Sequence, residues 1–187
     1  MGNVRLYGST SGYTELAPPA VAPDGVLSLP SGVGTLLTAE GGKVLQVVRA
    51  TDSTIRSTTS ASFVDASISV TITPQRNTSA IFLLWSARLN VAASVSTTNF
   101  RCQTQITDNS NVPISGAEQT TFGYYSDATA LNSSDLYYHQ SLFAYDTPAT
   151  TSPLTYKGRF RVLTGSTTIS LGNINNTGQL FAIEVSA

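Results

Sequence analysis

Reactive and metal-binding side chains are nearly absent from this chain. It has one cysteine, Cys102, and one histidine, His139. A single cysteine excludes an intrachain disulfide, and one cysteine with one histidine leaves no ligand set for zinc. Charge is scarce as well: charged residues make up 11% of the sequence and the formal net charge is −1. A chain so nearly neutral has no electrostatic footprint for general nucleic-acid binding. No apolar run approaches the roughly 18 residues needed to span a bilayer. Met1-Gly2-Asn3-Val4-Arg5 lacks the apolar segment of a signal peptide, so synthesis in a cytoplasm without membrane insertion is expected. Helical periodicity of any useful length is missing too.

What the chain has is alternation. Its hydrophobic content is 41%, too high for a polar disordered chain, and Ser, Thr, Asn and Gly are frequent. In the stretch Ser79–Val91, read at period two, Ile81, Leu83, Trp85, Ala87, Leu89 and Val91 fall on one face. Phe82, Leu84, Ser86, Arg88 and Asn90 fall on the other, which is apolar at its start and polar from Ser86 onward. That pattern predicts the central strand of an all-β core, with the only tryptophan in its middle.

Residues 1–42 read as an extended N-terminal arm. Val4–Tyr7, Tyr13–Leu16, Gly25–Leu29 and Gly34–Thr38 are short extended pieces broken by Gly- and Pro-rich links. Pieces this short build no core of their own and need another surface or other copies to pair with. Gly41-Gly42 reads as a hinge, and residues 43–187 as a β-sandwich domain. Within it, Lys43–Thr51, Ser67–Thr73, Asn99–Thr107, Leu136–Asp146, Leu154–Leu163, Thr167–Gly172 and Gln179–Ser186 join the Trp85 strand. Asp108-Asn109-Ser110-Asn111 is expected to turn through its own side chains. Residues 112–135 read as loops around one short strand, Gln119–Tyr124. Roughly eight strands at this spacing predict an antiparallel β-sandwich of jelly-roll type.

Few residues invite a chemical role. His139 shares its strand face with Tyr137, Ser141, Phe143 and Tyr145, and no motif supplies the carboxylate and nucleophile a general base needs. It reads as a packing or interface residue. Cys102 falls on the apolar face of its strand and reads as a small core residue. Asp65, Glu118, Asp127, Asp135 and Glu184 are scattered without the paired arrangement of a glycosidase. No enzyme activity and no cofactor are expected. Lys157, Arg159 and Arg161 alternate along one strand as a solvated face, or as a stripe that docks on an acidic surface or pairs across a subunit interface. Tyr124 and Tyr125 are candidates for a partner-facing loop, and the tyrosines of strand 136–146 for core or subunit interface.

Four segments carry a resemblance to bacteriophage virion proteins of the tail-fibre, head-fibre and capsid-decoration type, found in phages of aquatic bacteria and cyanobacteria. They are the leader L-Y-G-S-T-S-G-Y-T-E-L-A-P-P-A-V-A-P-D-G-V-L-S-L-P-S-G-V-G-T-L-L-T at 6–38, S-T-T-S-A-S-F-V-D-A-S-I-S-V-T-I-T-P at 57–74, D-T-P-A-T-T-S-P-L-T-Y-K at 146–157, and the terminal L-F-A-I-E-V. The leader is the most specific of the four, and residues 108–135 lie outside the resemblance. The resemblance implies a non-enzymatic homotrimer on the virion surface. Its arm, through Leu6, Tyr7, Tyr13, Leu16, Leu27, Leu29, Leu36 and Leu37, would attach to the major capsid protein or to a tail protein. A capsid decoration or head-fibre role is favoured; a short tail-fibre tip binding a host-surface glycan or protein is the alternative.

Overall fold

The computed structural model describes residues 4–7, 12–16, 44–93, 99–124, 134–164, 167–173 and 176–186. The chain divides into two compact units, Met1–Leu36 and Leu37–Ala187. In the first, β1 (Val4–Tyr7) and β2 (Tyr13–Leu16) pair antiparallel, Val4 opposite Leu16 and Tyr7 opposite Tyr13. The extended pieces expected there thus form a hairpin, with Gly12 at φ +81°, a conformation that favours glycine. A lone two-stranded hairpin is marginal in water. Gly25–Leu29 and Gly34–Thr38 lie outside the described residues.

The second unit is all β. Its strands are β3 (Val44–Asp52), β4 (Arg56–Thr58), β5 (Val64–Ile72), β6 (Ala80–Ala93) and β7 (Asn99–Asp108), then β8 (Pro113–Tyr124), β9 (Ser134–Asp146), β10 (Leu154–Thr164), β11 (Thr167–Leu171) and β12 (Gly178–Val185). One sheet runs β3-β12-β6 and continues to β11 and β4, with β9 on the other edge of β6; the second runs β5-β10-β7-β8. Setting aside short β4 and β11, the eight long strands renumbered in chain order pair as 1-8-3-6 and 2-7-4-5. This is the double Greek key of a jelly roll. The expected antiparallel sandwich is what the chain forms.

β6 is the strand on which the first sheet hangs. β9 pairs along its whole length, Ile81 opposite Asp146 through Ala93 opposite Ser134. Its other edge is shared end to end by β12, at Ala80–Ser86, and β11, at Leu89–Ala93. Ile81, Leu83, Trp85, Ala87, Leu89 and Val91 are all buried, as their spacing predicts, and so are Ile68, Val70 and Ile72 of β5. Tyr156, Phe160 and Val162 of β10 complete the facing layer.

The layers meet closely at Gly158. A Cβ there would lie 2.9 Å from Trp85 Cζ2 and 3.0 Å from Ile68 Cγ2, so the indole occupies the space a side chain would need. Gly158→Ala is therefore expected to destabilise the domain by about 1–3 kcal/mol through overpacking. Urea unfolding followed by Trp85 fluorescence measures it.

Two local findings revise the sequence reading. Gly116 is no loop residue: it sits within β8 at φ +76°, where five residue steps of β8 (Pro113 to Glu118) oppose two of β7 (Thr107 to Gln105). A glycine bulge interrupts the alternation there, which is why the strand reads as a loop. A second irregularity lies at Ser67 (φ 53°), whose backbone N–H donates to Asp65 Oδ1 at 2.6 Å. The turn at Asp108–Asn111 forms by its predicted device. Asp108 Oδ1 accepts from the N–H groups of Ser110 and Val112, each at 2.8 Å, and Asn111 takes φ 67°.

Candidate interaction surfaces

The outer faces of the two sheets differ in chemistry. On the β5-β10-β7-β8 sheet, the predicted basic stripe is present, and each of its members is held by its own chain. Lys157 Nζ donates to the Asn109 carbonyl at 2.9 Å and Arg159 Nη2 to the Phe63 carbonyl at 2.7 Å. Arg161 donates through Nε and Nη2 to Gln103 Oε1, at 2.8 and 2.5 Å, and stacks 4.3 Å from the Phe63 ring centroid. Gln103 in turn donates to Glu118 Oε2 at 3.3 Å. Gln103, Gln105 and Thr107 lie buried between these neighbours. The stripe is half-buried and knitted into a polar network.

The outer face of the other sheet is apolar at one end. The ladders align Val47, Ile183, Phe82 and Tyr145 in one row across β3, β12, β6 and β9, and Arg49, Phe181, Leu84 and Phe143 in the next. Thr51, Gln179, Ser86 and Ser141 form a polar row beyond them. Phe143 and Phe82 stack with ring centroids 5.9 Å apart. Val47, Tyr137, Phe143 and Tyr145 are 56%, 51%, 53% and 59% exposed. Further along, the Arg88 guanidinium covers the Tyr137 ring at 4.5 Å. His139 is exposed on this same face, directly opposite Arg88. Of the two readings for the strand 136–146 aromatics, Tyr137, Phe143 and Tyr145 thus stand outside the core; Tyr138 packs against it.

The remaining sequence candidates fall as follows. Cys102 is fully buried, its Sγ 2.9 Å from Tyr138 Oη, and is a core residue. Tyr124 is the last residue of β8, opposite Asn99, whereas Tyr125 lies outside the described residues. Leu6, Tyr7, Tyr13 and Leu16 belong to the β1–β2 hairpin, and Leu27, Leu29, Leu36 and Leu37 lie outside the described residues.

An open cavity at one end of the sandwich is bordered by Asp108, Asp146 and Tyr156. Its carboxylates serve the fold. Asp146 Oδ2 accepts from Tyr156 Oη at 2.7 Å, and Asp108 Oδ1 is taken by the turn N–H groups. Burial pushes the Tyr156 phenol far above its ordinary value and the two carboxylates add to the shift, so it stays a hydrogen-bond donor. Among the described residues, no three His, Cys, Asp or Glu side chains converge to hold a metal ion.

The part of this face on β3 and β12, Val47, Phe181 and Ile183, was not singled out from sequence. Its signal is present: Leu180, Phe181, Ala182 and Ile183 are apolar without alternation, as are Phe82 and Leu84 among the inward residues of β6. A strand apolar on both faces is buried on both or carries an exposed patch.

No protein-family model and no curated protein matches the chain. Two solved structures that resemble it come from infectious bursal disease virus. One is a mutant VP2 protein in derived T=1 particles, 14% identical at a TM-score of 0.32, covering 97% of this chain and 44% of that one. The other is the Gt strain, 13% identical at a TM-score of 0.27, covering 97% of this chain and 46% of that one. The chain spans less than half the length of these solved chains, and likenesses this distant have no bearing on function.

Proposed function

We propose that this chain is a non-enzymatic structural component of a bacteriophage virion. In this reading it is a homotrimer on the particle surface that decorates or cements the capsid through its N-terminal arm. The observation that carries it is the pairing order 1-8-3-6 and 2-7-4-5, an architecture shared by viral capsid and lectin domains. Asp108, Asp146 and the Arg161–Gln103–Glu118 network hold turns and sheets together. The resemblance of the 6–38 leader to phage surface proteins supports the placement on a virion.

Add-back tests it. Purified full chain, mixed with phage particles lacking the protein, is expected to bind saturably over the capsid and to raise resistance to osmotic shock. A chain without residues 1–42 is expected not to bind. Labelling confined to the tail tip would support the tail-fibre alternative, and no binding to any part of the particle would overturn the proposal.

A further inference from the structure

We infer that residues 118–124, the outer half of β8, form a strap that opens from β7 and β9 about the Gly116 bulge while the rest of the sandwich stays folded. The inference does not depend on where the chain sits on a virion.

The two flanks of the sandwich are closed by different chemistry. On the β3–β5 flank, Ala66, Ile68, Val70 and Ile72 are buried, and Glu184 joins the β5–β6 turn to Gln46 of β3. On the β8–β9 flank, the layer under the outer half of β8 is built from amides and hydroxyls. Thr104 Oγ1 of β7 donates to Gln140 Oε1 of β9 at 2.9 Å. One step along the same two strands, Cys102 Sγ lies 2.9 Å from Tyr138 Oη. Gln119 of β8 stands directly opposite Thr104 and so belongs to the same layer.

This seam is only half satisfied. Among the described residues, Gln140 Nε2 and Gln119 Oε1 are buried and take no hydrogen-bond partner. A buried polar atom without a partner raises the free energy of the closed state, and a partly satisfied network holds less firmly than an apolar contact. Opening hydrates both atoms. The seam therefore favours release where the opposite flank resists it.

The backbone supplies the pivot. Among the described strands, β8 is an edge paired to β7 alone. Its ladder is continuous from Tyr124 opposite Asn99 to Glu118 opposite Gln105, then breaks at the bulge. Gly116 has φ +76° and open space where a side chain would stand, so no packed group resists movement there. Beyond the bulge, Pro113 has no N–H to give the ladder. An edge segment with a polar underside and a glycine pivot opens at lower free energy than the whole domain unfolds.

Two measurements on the full chain test this. Successive residues of β7 bond alternately to β8 and to β10, so native-state hydrogen exchange reads its two edges separately. Amides bonded to β8 are expected to exchange at least about 100-fold faster than those bonded to β10. Cys102, the only cysteine, stands opposite Thr121 of the strap and reports the same opening. Its labelling by a small thiol reagent is expected to be insensitive to low urea, because a local opening exposes little surface. Gln119→Leu removes the unpartnered acceptor and should slow labelling by about tenfold. Gly158→Ala, which weakens the core whether the strap is open or closed, should leave labelling unchanged while exchange in β6 speeds up. Equal protection on the two edges of β7, labelling that follows global unfolding, or a Gln119→Leu chain that labels as fast as the native one overturns the inference.

Discussion

Replacing Trp85 with alanine is expected to cost about 3–5 kcal/mol, much of the stability of a domain this size. The residue is buried at the midpoint of β6, the strand to which β9, β12 and β11 all pair. Its ring also reaches across the sandwich to Gly158. Removing it leaves a cavity that rigid sheets on either side fill poorly, because their register is fixed by the ladders. The same contact predicts non-additivity. Gly158→Ala should cost less in the Trp85→Ala background than alone, since the ring it would meet is gone. Denaturant midpoints of the four proteins measure both effects. A Trp85→Ala loss under about 1 kcal/mol would contradict this view of the core.

The second large effect is expected at Glu184, fully buried on β12. Its Oε2 accepts from Gln46 Nε2 at 2.6 Å, and its Oε1 from the backbone N–H groups of Gln75 and Arg76 at 2.8 and 3.3 Å. Gln46 Nε2 also donates to the Thr73 carbonyl at 2.6 Å. One carboxylate thus ties the β5–β6 turn to β3 and β12, just before β6 begins. Glu184→Ala would leave the partly buried N–H groups of Gln75 and Arg76 and one amide N–H of Gln46 without acceptors and should cost about 3 kcal/mol. Burial works to raise the carboxyl pKa, but hydrogen bonds from Gln46 and the two backbone groups outweigh it and hold it below the usual glutamate value. A depressed folded pKa means the contribution is complete above the unfolded value, about 4.3, and is lost as pH falls through the lower, folded value. The stability gap between native protein and Glu184→Gln should therefore be constant near neutrality and narrow in acid. A gap that widened on acidification would refute this role.

Much of the fold was legible because alternation records burial directly. The β6 pattern identified six core residues, and the β5 pattern three more, since each strand has one face toward the core. β8 was shortened in the reading because a glycine bulge breaks the period on which the reading depends. The surfaces were harder. Lys157, Arg159 and Arg161 form a charged stripe in sequence, but only the fold shows Gln103 and the Phe63 and Asn109 carbonyls beside them. The apolar face is assembled from β3, β6, β9 and β12, which lie far apart in the chain. No one strand displays it. Phe82 and Leu84 hinted at it, as the apolar start of an otherwise polar face.

The placement on a phage particle is tested most directly by the number of copies per purified virion, from quantitative mass spectrometry against the major capsid protein. A capsid decoration protein repeats with the symmetry of the shell, so copies on the order of hundreds are expected. Absence of the chain from purified particles would contradict a virion role.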